Sequence, residues 1–134
     1  KNDIENREDI YLLVKTFYVK LMNDDLMRHF FIDFTNPEHL EMHLQILVDF
    51  WDNILFYSGG YRKNAMAPHL KLHRKKPFEK EHFKSWLSMF SVSVDELFHG
   101  ENAHAAKSRA QSIATVMEIK ISELNNEEIT KFDS

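Results

Sequence analysis

Cysteine is absent from the 134 residues. Its absence removes disulfides, thiolate metal sites, iron–sulfur clusters and thioether-linked cofactors, and it fits a cytoplasmic, reducing setting. Glycine and proline are scarce, with three of each. Hairpins consume such turn residues, so the scarcity favours helices with short connections. No apolar run approaches the roughly 18 residues needed to span a bilayer, and no membrane partner is expected. The opening Lys1-Asn2-Asp3-Ile4-Glu5 is unlike a signal peptide. A strong charge of one sign is missing too. The net charge is −4 with both signs spread along the chain, which gives no reason to expect nucleic acid as a partner. Repeats, low-complexity tracts and linkers are lacking. The expectation is one monomeric domain over residues 1–134, with a core at about 7–124 and a polar, fraying tail at 125–134.

The chain is rich in aromatic and sulfur side chains: 11 Phe, 4 Tyr, 2 Trp and 6 Met. Aromatics bury large areas, and methionine adapts to irregular surfaces. A packed core explains this excess, and so does a cavity shaped around a large apolar ligand.

Apolar spacing predicts an all-α chain. Ile10, Leu13, Val14, Phe17, Tyr18 and Leu21 follow the i, i+3, i+4, i+7 rule over residues 7–22. Asn23-Asp24-Asp25 breaks that helix and can cap a short one to about Phe30, after which 31–35 reads as loop. Asn36-Pro37-Glu38 is a strong helix start: a capping residue, proline at the first helical position, then an acid. The helix is expected to run to about Tyr57 with Leu40, His43, Leu47, Phe50, Trp51, Ile54 and Leu55 on its apolar face, ended by Ser58-Gly59-Gly60. Residues 61–77 are the least regular, with a short helix near 65–72 strained by Pro68. Two more helices are expected at 78–98 and about 101–124. The first shows Phe83, Trp86, Leu87, Phe90, Val94 and Leu97. The second shows Ala106, Ala110, Ile113, Ala114, Met117 and Ile121, and its small residues let a neighbour approach closely.

Eight histidines invite metal hypotheses. His39 and His43 stand i, i+4 on one helix, but His39-Leu40-Glu41-Met42-His43 places its glutamate one position late for a zinc protease. His69 and His73 share the spacing, yet no third ligand completes a zinc site. Paired Glu-x-x-His ligands for a di-iron bundle are missing from the core faces. His43 alone reads as a partly buried core histidine, and His69 alone as a solvated loop residue. Together with Tyr18 and Trp86, both placed on apolar faces, they suggest polar tips converging on one greasy cavity, a costly arrangement unless a ligand uses them.

The order and spacing of several features resemble the truncated haemoglobins, group III above all. Those features are Phe17-Tyr18, Asp24-Asp25-Leu26, Phe30-Phe31, His43 with Phe50-Trp51, and Tyr61 eight residues before His69-Leu70-Lys71-Leu72. His82-Phe83, Trp86-Leu87, Phe90, Arg109-Ala110-Gln111 and Ile113-Ala114 follow. The resemblance covers about residues 10–117. It implies a globin-like, two-over-two helical sandwich around a non-covalent haem b. By position it makes His69 the iron ligand and puts Tyr18, His43 and Trp86 on the distal side. Phe31 stacks on the haem, and Leu47, Phe50 and Trp51 form walls. Tyr61, Met66, Leu72, Phe83 and Met117 are further haem contacts.

The chain departs from the pattern where Arg62-Lys63 replaces a common glycine and where His73-Arg74-Lys75-Lys76 lengthens the loop. His73 is a competing ligand in poorer register. Arg62, Lys63, Lys71, His73 and Arg74 read either as propionate partners or as a solvated basic loop. The resemblance further implies oxygen, nitric oxide, carbon monoxide or cyanide as ligands, and the donors available at Tyr18, Trp86 and His43 point to tight binding and slow release. Alternatives are nitric oxide dioxygenation or peroxide activation with a reductase, and a haem-free helical interaction domain.

Overall fold

A computed structural model describes residues 1–57 and 79–133, with side chains through residue 124. Four α-helices and one 3₁₀ segment make up the described residues. They are α1 (Arg7–Asn23), the 3₁₀ segment (Arg28–Thr35), α2 (Pro37–Phe56), α3 (Lys80–Leu97) and α4 (Glu101–Asp133). No helix among the described residues is long and apolar enough to cross a membrane.

Local chemistry explains most boundaries. The Asn6 side chain accepts from Asp9 N–H, and Glu8 and Asp9 sit in the first turn of α1, where acids complement the helix dipole. The side chain of Asn36 accepts from the N–H groups of Glu38 (3.0 Å) and His39 (3.4 Å), and Pro37 opens α2. Between the two helices, Asp24 Oδ2 accepts from Leu26 N–H (3.1 Å) and Met27 N–H (3.0 Å) and turns the chain. The expected loop at 31–35 is instead helical. A 3₁₀ segment continues to Thr35, interrupted at Phe31 (φ −116°, ψ 21°). Its i, i+3 turns suit a stretch too short for α-helix. The end of α2 needs no glycine, because Tyr57 itself adopts the left-handed conformation (φ 55°) and donates its N–H to Asn53.

The helices form two layers. α1 packs on α2, α3 packs on α4, and α1 joins the layers through α3. The core lies between them. Ile10, Leu13, Val14, Phe17, Tyr18 and Leu21 of α1 are buried, as read from spacing. α4 contributes Ala103, Ala106 and Ala110, whose small side chains let α3 close in with Phe90 and Val94. The buried line of α2 is Leu44, Val48 and Trp51, a step round from the predicted stripe. Leu40, Leu47, Phe50, Ile54 and Leu55 only partly bury, along the flank. Phe83, Met117 and Ile121 form a separate small cluster between α3 and α4.

α4 continues to Asp133, past the helix end expected at about residue 124. No glycine or proline stands between Gly100 and Ser134 to stop it.

The residues ahead of α1 are tied to the α3–α4 corner. Asp3 Oδ1 accepts from Ile4 N–H and Ala103 N–H (both 2.8 Å), and Oδ2 accepts from Asn102 N–H (2.9 Å). Asn102 Nδ2 donates back to Ile4 O (2.8 Å), and His99 N–H donates to Asn2 O (2.9 Å). Asp3 therefore caps the start of α4 from 99 and 100 positions away in sequence. Gly100, at φ +146°, makes room for it, because a Cβ there would sit 2.5 Å from Asp3 Cγ.

Candidate functional site

Tyr18 and His43 converge. Tyr18 projects from α1 at a position set by the apolar stripe, and His43 comes from the half-buried flank of α2. The Tyr18 hydroxyl lies 2.8 Å from His43 Nε2. Aromatic rings surround the pair. Phe17 and Phe31 meet the Tyr18 ring edge-on at 5.7 and 5.5 Å between centroids. Phe34 stacks on His43 at 4.6 Å and 22°, and stands 6.2 Å from Tyr18. Burial pushes the Tyr18 phenol far above its ordinary value of 10.0. The hydroxyl therefore stays protonated at any physiological pH, as a neutral donor in an apolar cage.

Phe34 went unnoticed in the sequence because 31–35 read as loop. Its ring stands between the i, i+4 pair, stacked on His43 and edge-on to His39 at 5.6 Å. Those two histidines thus flank an aromatic ring. The kink at Phe31 lets the 3₁₀ segment deliver both Phe31 and Phe34 to Tyr18. Phe31 also lines a mostly apolar pocket of about 300 Å³ with Met22, Arg28, His29, Ile32 and Thr35.

Trp86 reaches the pair through Phe17, which meets both the Trp86 ring (5.6 Å) and the Tyr18 ring (5.7 Å) edge-on. It also stacks on Phe90 at 6.1 Å and 10°. Trp51 is buried and stacks on the same Phe90 at 5.0 Å and 18°. Leu47 and Phe50 lie on the half-buried flank of α2, and Phe83 touches Met117 in the small cluster. His69, Tyr61, Met66, Leu72 and His73 lie outside the described residues, as do Arg62, Lys63, Lys71 and Arg74.

His82, read in the sequence only as part of the His82-Phe83 pair, is buried. Its Nδ1 accepts from Glu79 N–H at 2.8 Å, so the ring closes the first turn of α3 in the place a glutamate usually takes. Phe30 meets it edge-on at 4.9 Å and His29 at 5.8 Å. A histidine three residues after a glutamate at a helix start was the available signal. Among the described residues, no three histidine or acidic side chains gather as a metal-holding cluster.

No family model matches the chain. Over 112 residues, however, it is 30% identical to the group 3 truncated hemoglobin of Campylobacter jejuni, covering 82% of this chain and 86% of that protein. The chain belongs to the group III truncated haemoglobins. The crystal structure of the group III truncated hemoglobin from Campylobacter jejuni aligns with this truncated haemoglobin at a TM-score of 0.80 and 28% identity. That match covers 90% of this chain and 94% of the other. The all-helical, globin-like architecture expected from the residues is thus the observed one.

Proposed function

We propose that this truncated haemoglobin holds a b-type haem with His69 as the iron's protein ligand, and binds oxygen and related diatomic ligands in a pocket governed by Tyr18 and His43. The observation that carries the reading is the 2.8 Å contact between a phenol and an imidazole inside a phenylalanine cage. The pair satisfies itself in the absence of a ligand, and it presents a phenol proton and an imidazole to whatever enters the cage.

The residues fit a flat apolar cofactor. Leu47, Phe50 and Ile54 offer a partly buried apolar flank, Phe31 an aromatic face, and Phe83 with Met117 a second apolar surface. When bound, the haem supplies an iron with an open position for a small ligand. The rest is the chain's contribution. His69 would hold the group through an imidazole nitrogen, the ordinary role of a histidine iron ligand. The Tyr18 hydroxyl keeps its proton and donates it towards the pocket. That hydroxyl is already hydrogen-bonded to His43, so a ligand that accepts its proton would exchange one hydrogen bond for another. A bond to a partly charged ligand is worth roughly 1.5–3 kcal/mol against about 1 for the one given up. The difference slows ligand release by about tenfold. The phenylalanines exclude water that would compete for the phenol.

Two experiments test this reading. Absorption spectra of the purified ferric and ferrous protein should show a haem band that is lost in His69→Gly and kept in His43→Ala and His73→Ala. An unchanged spectrum in His69→Gly would sink the ligand assignment, and a protein that takes up no haem would sink the whole reading. In stopped-flow measurements, Tyr18→Phe should release oxygen about tenfold faster, whereas His43→Ala, which returns the phenol to the ligand, should release it more slowly.

A further inference from the structure

The first N–H groups of a helix have no partner inside it, and a side chain three residues past the cap can serve the cap's own N–H. In α3 that side chain is a histidine. Glu79 N–H donates to His82 Nδ1 at 2.8 Å. A ring nitrogen that accepts carries no proton, so the closed turn holds neutral His82 with its hydrogen on Nε2. A glutamate or glutamine in this place offers an acceptor whatever the pH. A histidine does not, because both nitrogens of an imidazolium donate and the acceptor is gone.

The turn is placed so that this loss is felt. His82 is 7% exposed, whereas Glu79, Lys80 and Glu81 beside it are exposed. Phe30 meets the imidazole edge-on at 4.9 Å, and His29 stands 5.8 Å away. Among the described residues, the titratable groups facing the ring are therefore His29, from the 3₁₀ segment, and Glu79, at its own helix start. α4 meets this turn with Met117 and Ile121, which are apolar and pack on Phe83. Phe83 N–H donates to Glu79 O at 3.3 Å, as His82 N–H does at 2.9 Å. Glu79 thus joins the histidine's acceptor to the backbone that carries Phe83.

We propose that His82 is a proton-operated latch on the first turn of α3. The neutral ring holds the turn closed, and uptake of a proton on Nδ1 releases it and loosens Phe83 from Met117 and Ile121. The closed turn has no place for a proton on Nδ1 and the released turn has one. Proton binding therefore favours release, so the latch opens as pH falls and closes as pH rises. The latch stands without the haem reading. Joined to that reading, it makes the apolar surface at Phe83 and Met117 firmer in neutral than in acid solution.

Nuclear magnetic resonance between about pH 8 and about pH 5, the window in which histidines change charge, tests this on the purified protein. The ferrous carbon monoxide form is used where a haem band is present. At the alkaline end, long-range nitrogen–proton spectra should show His82 with its hydrogen on Nε2. Protection of the Glu79 and Phe83 amides from hydrogen exchange, corrected for the intrinsic effect of pH, should fall about fivefold as the His82 ring takes up its proton, the scale of a lost helix cap. In His82→Gln the side-chain oxygen accepts at every pH, so the fall should vanish. His29 remains in that variant, so a fall caused by His29 would persist. A hydrogen on Nδ1 at the alkaline end, a ring that takes up no proton by the acid end, or protection that stays constant while the ring does would each overturn the latch. So would an equal fall in His82→Gln. The wild-type readings alone decide the matter if that variant does not fold. A protein without haem leaves every one of these readings in place, so failure of the latch and failure of the haem reading are told apart.

Discussion

At the start of α1, one carboxylate serves three backbone N–H groups, from Ile4, Asn102 and Ala103. Near the last turn of the same helix, one phenol meets one imidazole and otherwise faces phenylalanines. The first region spends its polar atoms on holding the fold shut. Asp3 closes the corner that Gly100 leaves room for, and each group there is answered by a group of the same chain. The second region keeps its polarity in a single pair that can exchange partners. Stability and reactivity are thus placed at different ends of one helix, so they can be perturbed separately.

The sharpest way to break the contrast is Phe90→Ala. Phe90 is 1% exposed and touches Phe17, Trp51 and Trp86. Truncation should cost about 3–5 kcal/mol by denaturant titration and should disturb the pocket as well, since the same ring supports Phe17.

Gly100→Ala comes next. Its Cβ would strike the Asp3 carboxylate at a positive φ, so a loss of about 1–3 kcal/mol is expected, with ligand release unchanged.

Asp3→Ala should cost about 1 kcal/mol, again without a change at the pocket. Its pH dependence sharpens the point. Burial alone would raise the Asp3 carboxyl. The N–H groups of Asn102, Ala103 and Ile4, with His99 nearby, outweigh it and hold the group below its ordinary 3.8. A depressed carboxyl stabilises the folded chain above its unfolded value and loses that contribution as pH falls through the depressed value. Wild type and Asp3→Asn should therefore converge in stability only below pH 3.8.

The smallest effect is expected for Tyr18→Phe, within about 1 kcal/mol of wild type in stability, because the phenol's one hydrogen bond is lost while its ring packing stays. A loss as large as that of Gly100→Ala would mean that Tyr18 serves the fold as much as the pocket.

The parts legible in the sequence were those decided locally. The α1 stripe and the Asn36-Pro37 start need only spacing and capping chemistry, and both stand as read. The resemblance of motifs reached further and fixed the family. The convergence of Tyr18 and His43 was suggested by helical phase, but their direct hydrogen bond depends on how α1 crosses α2, which phase cannot supply. Placing His43 on the apolar stripe also drew attention from Leu44 and Val48, the residues that α2 buries most completely beside Trp51. Phe34 was lost because proline- and aspartate-flanked stretches read as loop, whereas packing of Phe30 and Phe31 sustains a 3₁₀ turn there. Asp3 carried no local signal, since all that it caps except Ile4 lies at the far end of the chain.

The hydrogen bond between Tyr18 and His43 also provides a clock for the pocket. A phenolic proton shared with an imidazole resonates far from the crowd in proton magnetic resonance. Beside Phe17, Phe31 and Phe34, on a side chain 3% exposed, it trades places with solvent deuterium when the surrounding side chains part. Its lifetime would therefore report how often the cage opens, and so set an upper limit on how fast any small molecule that needs that opening can pass.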